Sequence, residues 1–81
     1  MKIHLIKGQF SGKDAISIIT KMIDVKIKFQ EEKIKNSDNE EDVKMRETRI
    51  KTLQKELFES RILIEANGDS VSIESEIVLS E

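Results

Sequence analysis

The 81-residue chain has no cysteine, proline, tryptophan or tyrosine, and only three glycines, three phenylalanines and one histidine. Without cysteine there is no disulfide framework, no thiolate nucleophile and no cysteine-ligated zinc or iron–sulfur site. A single histidine, His4, leaves too few nitrogen ligands for a transition-metal site. The sequence places no nucleophile or carboxylate beside that histidine to make it a catalytic base. Three phenylalanines are too few to build a ladder for stacking nucleic-acid bases. Nor is there an apolar run near the roughly 20 residues that span a bilayer, or a signal-peptide core in the first fifteen residues. A soluble, cytoplasmic protein without metal or other cofactor is expected.

Hydrophobic residues make up 37% of the chain and charged residues another 37%. This length supports one domain, 1–81, with a small core. A chain of this size buries only roughly 60 to 65% of the surface exposed by its unfolded form, so help from a partner is expected. The formal net charge of −2 hides an uneven distribution. Residues 1–36 carry eight lysines against four acids, whereas residues 61–81 carry five acids against Arg61 alone. The acidic sum argues against a dedicated nucleic-acid binder, whose affinity rests on neutralising phosphates.

Lys2-Ile3-His4-Leu5-Ile6-Lys7, rich in branched apolar residues and followed by Gly8, predicts a strand ended by that glycine. Ser11 then caps a helix over about Gly12 to Lys35. Asp14 is placed to answer it as a capping box, and Phe10 and Ala15 to form a hydrophobic staple. Asp14, Ser17, Lys21, Asp24, Lys28, Glu31 and Lys35 form one solvated stripe with steps of three and four. The turn-forming cluster Asn36-Ser37-Asp38-Asn39 precedes Glu40, Glu41 and Asp42, acids that suit the start of a second helix running to about Glu59. So short a connection makes the two helices an antiparallel hairpin. Ile18 with Leu57, Met22 with Leu53 and Val25 with Ile50 keep one index sum. The predicted seam is therefore Ala15, Ile18, Met22, Val25 and Phe29 against Val43, Ile50, Leu53 and Leu57, with Phe29 opposite Arg46.

Two readings fit the last third. Pairing across an Asn67-Gly68 turn sets Ile64 against Val71, Ile62 against Ile73 and Phe58 against Ile77, which predicts strands at about 61–66 and 70–79. The alternative extends the second helix to Asn67, with Gly68 as its C-cap. The leading expectation is an α+β fold of order βααββ, a helical hairpin packed on a small antiparallel sheet; the alternative is βααβ with a longer second helix.

Ile16, Ile19, Ile23, Ile27 and Ile34 form a second apolar stripe on the first helix. A small sheet covers Ile16 and Ile19, leaving Ile23, Ile27 and Ile34, with Met45, as the expected interface of a homodimer or with another protein. The final strand, with Val71, Ile73, Ile77 and Leu79 on one face, is a second candidate surface, guarded by Glu74 and Glu76 on the other. Gly8-Gln9-Phe10-Ser11-Gly12-Lys13-Asp14 has the air of a phosphate loop, but it is one residue short between the glycines and has Asp14 where a hydroxyl should meet magnesium. A turn and a helix cap account for it. The acids at 38–42 lack the glycine and spacing of a calcium loop. Lys21, Lys26, Lys28, Lys33 and Lys35 are candidate contacts for weak, salt-sensitive nucleic-acid binding, with Asp24, Glu31 and Glu32 among them. The composite expectation is a non-enzymatic protein that works by association.

Overall fold

The computed structural model describes all 81 residues, in the order β1 (Lys2–Phe10), α1 (Gly12–Lys35), α2 (Glu40–Asn67), β2 (Val71–Val78). The fold is α+β, with an antiparallel helical hairpin inserted between the two strands of an antiparallel sheet. β1 continues through Gly8, which pairs with Ile73, so the glycine lies within the strand rather than ending it. The sheet closes Phe10 on Val71 at one end and Lys2 on Val78 at the other. Beyond it, the Met1 ammonium donates to the Leu79 carbonyl and the Leu79 amide donates to that of Met1.

Both helices start where the cap residues predict. The Ser11 hydroxyl accepts from the Asp14 amide at 3.1 Å; the reciprocal bond from the Asp14 carboxylate is not made. The Asn39 side chain accepts from the amides of Glu41 and Asp42 at 2.9 and 3.1 Å, satisfying two of the donors that a helix start leaves free.

The end of α2 corrects the leading expectation. Residues 61–66 are helix, not strand, and the order is βααβ. Ile50, Leu57 and Ile64 keep helical spacing, and Ile64 is one of only four buried residues, with Ala15, Leu53 and Ile73. A strand at 61–66 would surrender that contact, so packing at Ile64 outweighs the turn propensity of Asn67-Gly68. The pair instead ends the helix. The Asn67 amide group donates back to the Leu63 carbonyl at 2.8 Å, and Gly68 reverses the chain at φ 73° and ψ −119°, a conformation costly for any residue with a Cβ.

The core sits at the corner where hairpin and sheet meet. Ala15, Ile64 and Ile73 form its centre, and Ile6, Phe10, Ile16, Ile18, Ile19 and Val71 pack around it. Cross-strand partners share a face, so Phe10 with Val71, Gly8 with Ile73, Ile6 with Ser75 and Ile3 with Ile77 make up the inward side of the sheet. A bulge between His4 and Ile6 keeps Ile3 and Ile6 on that side despite their odd spacing. Gly12 has a packing role: a Cβ there would stand 2.7 Å from the Gly68 carbonyl oxygen. This close approach lets the start of α1 touch the turn after α2, and it explains the glycine of the phosphate-loop-like segment.

Candidate interaction surface

The hairpin seam differs from the predicted one on α1. The Arg46 guanidinium donates through Nη1 to Gln30 Oε1 at 2.9 Å and through Nε to both Asp42 carboxylate oxygens at 3.2 and 3.1 Å. Gln30, not Phe29, therefore meets Arg46. At about 100° per residue, Ile23, Ile27 and Ile34 share Gln30's side of α1 and are half-buried, whereas Val25 and Phe29 are 68% and 55% exposed. The α2 side agrees with expectation: Leu53 is buried and Val43, Ile50 and Leu57 are half-buried. A constant index sum fixes the stagger of two antiparallel helices but leaves rotation about their axes free, and α1 carries apolar residues on both candidate faces. The isoleucine stripe won, and the stripe left over is Met22, Val25 and Phe29.

The expected interface residues accordingly separate. Ile23, Ile27 and Ile34 lie within the hairpin of one chain, and Met45 is exposed on α2. Lys21, Lys28 and Lys35, seven residues apart, form one row on α1. Lys26 and Lys33 form another, and the Met22–Val25–Phe29 stripe runs between the two. Lys28 Nζ bonds Asp24 at 2.9 Å, and that bonded carboxylate raises its pKa; Lys33 Nζ lies 5.6 Å from the centre of the Phe29 ring. Lys21, Lys26 and Lys33 make no ion pair. Lysines split by an apolar stripe do not form the continuous basic track that follows a phosphate backbone.

No arrangement for covalent chemistry stands out. An open groove of about 310 Å³ on one side of the hairpin is lined by Lys26, Gln30, Thr48, Arg49, Thr52, Leu53 and Glu56. Its two hydroxyls donate to helix carbonyls, Thr48 to Lys44 and Thr52 to Thr48, rather than facing a base. His4 Nδ1 is 3.8 Å from Glu76 Oε2 on the exposed outer face of the sheet, beyond hydrogen-bond length. Three or more metal-ligating side chains nowhere converge, and no helix is long and apolar enough to cross a membrane. At the hairpin tip, the Ser37 hydroxyl and then the Arg46 guanidinium hold the Asp42 carboxyl below its ordinary range, a local feature of the start of α2.

What does stand out is uncovered surface. The chain exposes 6536 Å², where a compact monomer of 9.3 kDa would expose about 5,000 Å². Its radius of gyration is 15.2 Å, in a body 46 × 32 × 13 Å, against about 12 Å for a compact chain of this length. The excess is apolar in good measure. Along the inward row of β2 and just past its end, exposure climbs from Ile73 at 8% to Ile77 at 37% and Leu79 at 52%. Along α1 it climbs from Ala15, fully buried, through the half-buried Ile18 and Met22 to the bare Val25 and Phe29. Phe58 and Ile62 on α2, one turn apart, are exposed as well. Comparison with known families, curated proteins and solved structures finds no match to this chain.

Proposed function

We propose that this is a non-enzymatic, cytoplasmic protein that works by self-association, as a homodimer. The observation that carries the reading is the surface excess. About 1,500 Å² per chain beyond the compact expectation matches the area that an obligate dimer of small subunits buries, in total about 2,000 to 5,000 Å². The four-residue core points the same way, because a core of this size seldom stabilises a chain alone. A twofold dimer is the simplest closed assembly that covers the same patch on both copies.

Sedimentation equilibrium tests the proposal. The expected mass is twice the 9.3 kDa of one chain, with dissociation only on dilution. A species that keeps the single-chain mass up to high concentration overturns it. A gel shift at low salt, run on the same sample, addresses the lysines of α1: retardation of nucleic acid by a monomeric protein would put the alternative reading in its place.

A further inference from the structure

We propose that the dimer is reciprocal, with the far end of each chain's sheet lying on the Met22–Val25–Phe29 stripe of the other chain's α1. This arrangement rests on the self-association reading and specifies which surfaces meet. Two apolar rows leave the buried corner at Ala15 and Ile73, one along α1 and one along the inward face of the sheet, and each loses its cover as it leaves the other. Within one chain both rows are left exposed away from that corner, so neither finishes covering the other. A second copy related by a twofold axis supplies what each lacks: sheet for the bare stretch of helix, and helix for the bare stretch of sheet.

Charge weighs against the rival pairing, stripe on stripe. The helix stripe is rimmed by Lys21, Lys26 and Lys33, all without ion pairs in the chain. The inward face of the sheet carries no charge along its paired rows, because Glu74 and Glu76 lie on the outer face with Lys7 and His4. Stripe against stripe would face lysine rim with lysine rim, whereas sheet against stripe meets those lysines with an uncharged apolar row and leaves them at a solvated rim, the anatomy of a specific interface.

Charge-swapped chains test the arrangement. Phe29→Lys and Ile77→Glu, each alone, should weaken self-association by at least about thirtyfold, since each places an unpaired charge in both copies of the apolar centre. Mixed in equal amounts, the two variants should form a heterodimer, because one of its contacts is native and the other pairs the introduced carboxylate with the introduced ammonium. Leu79→Glu, outside β2, repeats the test at a site where the fold is less at stake, and circular dichroism checks the helix content of every variant. Phe58→Lys should leave the mass unchanged. If the wild type is a dimer but the mixture stays monomeric, or Phe29→Lys leaves the mass unaltered, the reciprocal arrangement falls while self-association stands. A monomeric wild type removes both.

Discussion

Thr20 Oγ1 is buried on α1 without a hydrogen-bond partner. A hydroxyl taken from water and left unmatched costs about 1 to 3 kcal/mol, while a methyl of the same shape costs nothing of the kind. Thr20→Val should therefore stabilise the fold by about 1 kcal/mol, seen as a rise in Tm of about 4 to 8 °C. An unchanged or lower Tm would mean that the hydroxyl has found a partner. Arg46 shows the opposite treatment of a polar group: its guanidinium reaches both Asp42 on its own helix and Gln30 across the hairpin. The Asp42–Arg46 pair is visible in the sequence from its i,i+4 spacing. Gln30 is not, since an uncharged side chain amid lysines and glutamates gives no periodic signal of facing inward.

The elements themselves were largely legible. Ser11 and the Asn36–Asn39 cluster announce both helix starts, and the alternation of Val71, Ile73 and Ile77 with Ser72, Glu74 and Glu76 announces β2. Three features escaped because each is decided by packing between distant segments. Gly8 reads as a stop, yet pairing with Ile73 carries β1 through it. Asn67-Gly68 suits a hairpin turn and a helix end equally well, and the burial of Ile64 decides between them. The rotation of α1 was hidden by two apolar stripes of similar strength. That rotation alters what a substitution at the expected interface would do: Glu at Ile27 or Ile34 would break the hairpin inside one chain rather than separate a pair of chains. Gly12 makes the dependence on distant packing testable. Gly12→Ala drives a methyl toward the Gly68 carbonyl at 2.7 Å and should destabilise by about 1 to 3 kcal/mol despite alanine's better helix propensity, read as a lower urea midpoint. A gain in stability would show that these segments move apart without cost.

For the whole molecule, the fold class and the apolar surplus were legible, but not its location. The apolar pattern shows that α1 has more greasy surface than one neighbour can cover; only the fold shows that apolar side chains lie bare at Val25 and Phe29 on α1, at Phe58, Ile62 and Leu63 on α2, and at Ile77 and Leu79 at the far end of the sheet. The missing information is rotational and angular. It depends on how the hairpin seats in its corner and how far the strands run past it, and neither leaves a trace in periodicity.

The sheet joins partners between 61 and 76 positions apart, Phe10 with Val71 and Lys2 with Val78. Bringing such remote segments together from an open coil is slow, because the entropy of closing the intervening loop is lost before any pairing returns it. The hairpin is local and shortens that loop to the span between its two open ends. The helices should then meet early and the strands zip last. In stopped-flow refolding, Ile50→Val should slow folding, while Ile73→Val should mainly hasten unfolding; the reverse pattern would put strand pairing in the nucleus.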